Sequence, residues 1–182
     1  MRTLSLLLVC SFALMQTSCG QKSDRKSPPA KAEISMGDFE ASINYGQPSK
    51  NGRLIFGTKE ADALVPYGEP WRTGANEATE ITLSKSVTIA GNTLDAGTYS
   101  IYTIPGENEW VIAFNSETDF WGRSLFSSPY KEEKDVFRIN VTPKTSESVT
   151  EAFTISMKEV SETSLSVTMA WDKTSVAFDM MF

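Results

Sequence analysis

The chain has 182 residues, a net charge of −6, no histidine and two cysteines, Cys10 and Cys19. The lack of histidine excludes Ser-His-Asp triads, imidazole general bases and His-ligated metal centres. The acids are scattered and no basic stripe interleaves with aromatics, which argues against nucleic-acid binding.

Residues 1–18 read as a signal peptide. Arg2 supplies the positive start, and the apolar run over 4–15 is too short to cross a bilayer as a helix. Thr17, Ser18 and Gly20 surround Cys19 with small residues, in the manner of a bacterial lipoprotein signal, although Gln16 stands where leucine is usual. Cleavage before Cys19 is expected to leave it lipidated, and more than one acyl chain anchors a protein stably. Ordinary secretion and an uncleaved anchor are the alternatives. Cys10 leaves with the signal peptide, so the mature body has no thiol for a disulfide or for Cys-based catalysis. Residues 19–33 carry four Lys/Arg residues and the pair Pro28-Pro29, the composition of a flexible tether. Only one acid, Asp24, lies just after the cysteine, which favours the periplasmic face of the outer membrane over the cell surface. Residues 34–182 suffice for a single domain.

Period-two alternation predicts a strand over 38–45, with Phe39, Ala41, Ile43 and Tyr45 on one face. A Gly/Pro/Asn turn region follows over 46–52, then a short extended piece over 53–57 and a helical turn over 58–64, stopped by Pro66. Residues 79–89 read as one strand, with Ile81, Leu83, Val87 and Ile89 sharing a parity. Strands over 99–104 and 110–115 are joined by Pro105-Gly106-Glu107-Asn108, a hairpin signal. Residues 120–130 are irregular and aromatic, 131–134 are a charged turn, and four further strands are predicted over 135–141, 150–160, 164–171 and 174–182. The expected fold is all-β, an antiparallel β-sandwich (jelly-roll-like or an open barrel) with at most short helical turns.

The stretch 65–84, irregular up to its alternating run over 79–83 and containing Pro66, Gly68, Trp71, Arg72, Gly74, Asn76 and Glu77, is the expected site. An arginine fork can grip a carboxylate or phosphate, a tryptophan face can stack on a ring, and Asn or Glu can bind hydroxyls. The candidate ligand-binding residues are Arg53, Tyr67, Trp71, Arg72, Asn76 and Glu77, with Trp121, Arg123 and Tyr130 as a second cluster. The competing structural reading has the stretch cover a sheet end, with Arg72 paired to an acid such as Glu77 or Asp135, and has the second cluster cap the core. Trp110 and Trp171 are expected in the core.

Several strings resemble domain-of-unknown-function family 2911: residues 43–48 (INYGQP), 50–57, Leu64-Val65-Pro66-Tyr67-Gly68, the string 71–79 (WRTGANEAT), Ala96-Gly97 with Tyr99, Ile104-Pro105-Gly106, Trp110, Asn115, Trp121-Gly122 and Trp171. The resemblance covers nearly the whole body. It implies an exported β-domain, common in Bacteroidetes and often lipid-anchored, with no activity attached. Many members of that family carry a histidine just before the first strand; this chain has Ser27-Pro28-Pro29 there.

The resulting expectation is a cell-envelope lipoprotein that is a binding module rather than an enzyme. It would recognise a small polar or carbohydrate-like ligand, or an envelope protein, through Trp71, Arg72 and Trp121. The alternatives are a carboxylate-based glycan hydrolase, drawing on Glu77, Glu80, Asp119 or Asp135, and a purely structural lipoprotein. No cofactor and no metal is expected, and the membrane is a partner only through the lipid anchor.

Overall fold

The computed structural model describes residues 25–118 and 130–182. The signal peptide, Cys19, Asp119, Trp121 and Arg123 lie outside the described residues. In chain order the strands are β1 (Pro29–Met36), β2 (Phe39–Gly46), β3 (Phe56–Gly57), β4 (Val65–Pro66), β5 (Glu80–Leu83) and β6 (Val87–Ile89). They continue with β7 (Asn92–Leu94), β8 (Gly97–Ile104), β9 (Trp110–Asn115), β10 (Asp135–Val141), β11 (Lys144–Ser161) and β12 (Ser164–Met181). One sheet has the order β1-β2-β5-β8-β9-β10 and the other β11-β12-β6-β7, all antiparallel; β3 and β4 form a small parallel pair. The fold is an all-β sandwich of open sheets, and the only helix among the described residues is a 3₁₀ turn at Glu132–Lys134.

Alternation decides which face of each strand is buried. In β2, Phe39, Ala41, Ile43 and Tyr45 are buried while Glu40 and Asn44 are exposed. Ile81, Leu83, Ile101, Ile112 and Phe114 continue this inner face across the first sheet; Phe153, Ile155, Leu165, Val167, Met169 and Phe178 meet it from the second.

The folded body starts earlier than residue 34. Residues 29–33, expected in the tether, already pair with β2, with Pro29 opposite Gly46 and Glu33 opposite Ser42. The inward positions there are Ala30 and Ala32, whose small side chains give alternation little contrast against neighbouring Lys31 and Glu33.

The single strand expected over 79–89 is two. β5 belongs to the first sheet and β6 to the second, so residues 84–86 carry the chain across the sandwich. Both halves keep one parity because both face one core from opposite sides. β6 and β7 are joined by Ala90-Gly91 at φ 48° and 81°. This is the left-handed pair that a two-residue type I′ hairpin needs. Conversely, the two strands expected over 164–171 and 174–182 are one, β12, bent at Asp172, whose φ is 54°. The buried parity changes there from Leu165, Val167, Met169 and Trp171 to Val176, Phe178 and Met180. The helical turn expected over 58–64 is a pair of overlapping β-turns, with the Ala61 amide donating to the Thr58 carbonyl and Asp62 to Lys59.

At one end of the core the aromatics gather. Trp71 stacks on Trp171 at 5.7 Å and 23°, and it meets Phe153 at 5.0 Å and Phe56 at 5.8 Å edge-on. Trp110 packs on Phe56 at 4.7 Å. This cluster is the floor beneath the irregular stretch.

Candidate functional site: a cationic cleft at the end of the sandwich

The string 71–79 folds into a loop that satisfies itself. Trp71 pairs with Thr103 of β8 through both backbone bonds, at 2.7 and 2.8 Å, and its indole N–H donates to the Gly74 carbonyl at 3.0 Å. Thr73 is fully buried at φ 56°, an uncommon conformation for a β-branched residue. Its carbonyl accepts from the Thr79 hydroxyl at 2.8 Å, and its own hydroxyl lies 3.3 Å from that of Thr103. Ala75 then meets β2 backbone to backbone, its amide donating to the Gly46 carbonyl at 3.2 Å. A β-carbon at Gly46 would sit 1.8 Å from the Ala75 oxygen. The string is therefore a specific one for packing reasons: a core indole, two buried threonines, and Gly74 at a close crossing with Gly46 of β2. Trp71, expected at a ligand, is 2% exposed and belongs to the core.

Beside this loop opens a cleft of about 410 Å³. Pro48 and Leu64 contribute to its walls, and Trp171 to its floor. Lys26, Arg53 and Arg72 bring three cations to it, and no Asp or Glu is among its described lining residues. Burial pushes the Arg72 guanidinium pKa down, opposed electrostatically by Tyr102; arginine remains charged at ordinary pH regardless. Arg53 is exposed on the rim. It donates through Nε to the Lys50 carbonyl at 2.9 Å and through one Nη to the Ser49 carbonyl, which fixes its direction without neutralising it. Lys50 ties the same turn to β12: its Nζ reaches Asp172 at 2.9 Å and the Arg53 carbonyl at 2.6 Å. Trp171 stays 1% exposed, with its indole N–H on the Glu151 carbonyl at 3.1 Å. The ring presents little face to a ligand, so the cleft is dominated by charge rather than by stacking.

The N-terminal segment closes one side. Arg25 grips Glu77 with both terminal nitrogens, each at 2.6 Å. Asn76 donates to the Ser27 carbonyl at 3.0 Å, and the Gln47 amide donates to the Pro28 carbonyl at 2.8 Å. Lys26 and Ser27 thereby enter the cleft wall. Asn76 and Glu77 thus hold a segment of the chain itself, some fifty residues upstream, and Glu77 is not the partner of Arg72.

Tyr130 lies elsewhere. Strand register sets Lys31, Asn44, Glu80, Ser100, Asn115 and Asp135 in one cross-sheet row on the outward face of the first sheet. At the β10 end this row is buried and knitted together. Asp135 accepts from Tyr130 at 2.6 Å, from Arg138 at 2.6 Å and from Asn115 at 2.8 Å, and the Tyr130 ring lies 4.6 Å from that of Tyr102. Asp135, the other acid considered for Arg72, is thus engaged by Arg138. Burial, then the hydrogen bond to Asp135, pushes the Tyr130 pKa well above the usual 10.0. A raised folded pKa favours the protonated phenol, so its stabilisation is complete below pH 10 and is lost as pH climbs toward the folded value. Between about pH 9.5 and 11.5 the parent is expected to lose stability more steeply than Tyr130→Phe, as read from chemical melts across that range.

The structure therefore brings Arg53 and Arg72 together at the cleft and sets Asn76 and Glu77 beside it as a clamp. Tyr67 is half-buried and lines no part of the cleft; its amide bonds the Gly57 carbonyl at 2.8 Å. Trp121 and Arg123 lie outside the described residues. Lys26, Asn51 and Trp171 were missed as lining residues. Lys26 read as tether and Trp171 as core, and it is the long-range contacts of Arg25 with Glu77, Ser27 with Asn76 and Pro28 with Gln47 that place Lys26 at the site. Among the described residues no group of three or more Asp, Glu, Cys or His is placed to hold a metal ion.

Fold and site define an all-β sandwich with a cationic cleft at one end. The model of a family described as "Protein of unknown function (DUF2911)" matches residues 27–180, and the chain belongs to that family. The match begins two residues before β1 and so includes Ser27 of the cleft wall. Comparison with curated proteins and with solved structures returned no match.

Proposed function

We propose that this protein is a non-enzymatic binding module of the cell envelope, held to the membrane by lipid on Cys19 and facing the periplasm, and that it takes a small polar ligand carrying negative charge. The observation that carries the reading is the convergence of Lys26, Arg53 and Arg72 on one cleft with no described carboxylate in its lining, in a chain whose net charge is −6. A local excess of positive charge against the overall balance attracts anions and repels the protein's own acids. The cleft's size lies within the range of about 300–1,000 Å³ common for small-molecule sites. The side chains of Ser49 and Asn51 at the same cleft are groups suited to hydroxyls, which favours an acidic or phosphorylated sugar over a bare apolar anion. Of the acids a glycan hydrolase would draw on, Glu77 is clamped by Arg25 and Asp135 by Arg138, which favours the binding reading over hydrolysis by those two. The leader, the lipobox-like surroundings of Cys19 and the polar residues 20–24 support the anchoring.

The test is a calorimetric titration of the full chain, in detergent and at constant ionic strength, with glucose, glucuronate and glucose 6-phosphate. The charged sugars are expected to bind, glucose to bind at least about tenfold more weakly, and Arg53→Ala to weaken the charged sugars by about five- to tenfold without altering the melting temperature. Equal affinity for all three sugars would overturn the anion reading in favour of recognition through hydroxyls alone, and no binding at all would leave a purely structural envelope protein as the better reading.

A further inference from the structure

Resting on that reading of the cleft, we infer that the site is bipartite: the N-terminal segment 25–27 is a detachable wall that delivers Lys26, Arg25 and Glu77 are its positioning residues, and the composite site selects dianions. Three observations converge. The body alone brings two cations, Arg53 and Arg72, and the third comes from the segment. The segment is not part of a strand, since β1 begins at Pro29. Its side-chain attachments to the loop over 74–77 are the forked Arg25–Glu77 pair and the Asn76–Ser27 bond. A fork of two parallel charge-assisted bonds fixes orientation as well as contact. The pair is partly open to water, with side chains 22% and 43% exposed, so it is a latch that can release rather than a sealed ion pair.

The chemistry of the ligand follows from this geometry. Lys26 adds a further positive charge to the cleft, and its attraction for a ligand scales with the ligand's own charge, so a latched segment raises the logarithm of the affinity about twice as much for a dianion as for a monoanion. Lys26 presents a compact, rotatable ammonium suited to a point charge, while the guanidinium groups suit planar bidentate acceptors. A phosphate monoester or a dicarboxylate matches that set better than a lone carboxylate. Linkage then works in both directions. A dianion in the cleft holds the segment down, and a latched segment tightens the dianion by the same factor. Because the segment lies between the expected lipid anchor and the body, occupancy of the cleft is coupled to how closely the body is held to its tether.

The experiment uses the full chain in detergent, with inorganic phosphate, succinate and acetate as probes at constant ionic strength. Trypsin cleavage within residues 22–31, followed by mass spectrometry, is read in parallel. Phosphate and succinate are expected to bind more tightly than acetate and to slow cleavage after Arg25 and Lys26; acetate slows cleavage less. Glu77→Gln should speed cleavage several-fold and weaken phosphate by about tenfold, with acetate weakened by about threefold at most. Lys26→Gln should weaken phosphate similarly while leaving cleavage after Arg25 unchanged. The charge swap Arg25→Glu with Glu77→Arg should restore phosphate affinity, and, because it removes the cleavage site at Arg25, its latch is read as slowed cleavage after Lys26 relative to Arg25→Glu alone. If Glu77→Gln frees the segment yet phosphate binds as in the parent, the bipartite site is overturned while the cleft reading survives. If Glu77→Gln leaves cleavage unchanged, the latch is overturned. If no probe binds the parent, both the cleft and its composite wall fall together.

Discussion

Gly46→Ala is expected to destabilise the fold by about 4 kcal/mol or more, among the largest effects a single methyl can have. The new β-carbon would stand 1.8 Å from the Ala75 carbonyl oxygen and 2.8 Å from its carbon. Those are backbone atoms, so no rotamer change relieves the clash. The loop over 71–79 is pinned on its far side by the two Trp71–Thr103 bonds and by the buried Thr79–Thr73 contact. Gly46 itself is fixed opposite Pro29 in the β1–β2 ladder. One of these two elements has to move, and with it go the Ala75–Gly46 bond and the seat of the N-terminal segment. At this chain length each kcal/mol shifts the melting temperature by about 2–4 °C, so a fall of about 10 °C or more is expected. Gly57→Ala is the matched control. Its β-carbon would meet the Leu54 side chain at 3.3 Å, which can turn aside, and the Ala63 β-carbon at 3.2 Å, which needs a backbone shift of only a few tenths of an ångström, and a cost of about 1 kcal/mol is expected. Equal melting of the two variants would contradict the close crossing of β2 and the loop.

Trp171→Ala carries the second large expectation, a loss of about 3–5 kcal/mol. The indole is 1% exposed, stacked on Trp71 and flanked by Phe153 and Phe56 at 5.9 and 6.1 Å. Truncation leaves a void beneath the cleft and removes one of two donors to the Glu151 carbonyl, which keeps the Lys50 amide at 2.7 Å. Trp171→Phe fills most of the volume and forfeits the hydrogen bond, so about 1–2 kcal/mol is expected. Guanidinium melts separate the two, with midpoints shifting and slopes unchanged. The site adds a second readout. Because Trp171 is floor rather than contact face, Trp171→Phe is expected to bind charged sugars within about twofold of the parent, whereas Arg53→Ala loses affinity without loss of stability. A ligand recognised by stacking on Trp171 would reverse that pattern.

Where the sequence alternates large apolar and polar side chains, the fold was legible. β2, the β8–β9 hairpin and β10 come directly from period two and a Pro-Gly turn. The places that escaped are those where contrast vanishes or where the chain changes sheet without changing parity. Alanines at the inward positions of β1 concealed a strand in what read as tether. Residues 84–86 cross between sheets while Ile81, Leu83, Val87 and Ile89 keep one alternation, because both sheets face the same core. At Asp172 the reverse holds: a left-handed residue shifts the parity inside one strand, so β12 read as two.

The site was legible as a neighbourhood rather than as a set of contacts. Arg53 and Arg72 do meet at one cleft. Trp71 does not, because its ring is drawn into an aromatic cluster that also takes Phe56, Phe153 and Trp171, a convergence from four separate segments. Glu77 and Asn76 looked like ligand groups and hold Arg25 and Ser27 instead; a pairing across 52 residues leaves no local trace. Tyr130 answers to Asp135 and Arg138, and that triad is recognisable only once the cross-sheet row of polar residues is in register.

The most direct test of the central claim, that the cleft is an anion site, is an amide and indole NMR titration of the full chain with glucose 6-phosphate. Saturable shifts are expected, confined to the amides of residues 26–27, 49–53 and 74–75 and to the Trp171 indole, with the midpoint moved about five- to tenfold higher in Arg53→Ala. Shifts centred on the outward sheet face around Thr82 and Thr98, or no saturable shift anywhere, would contradict the claim.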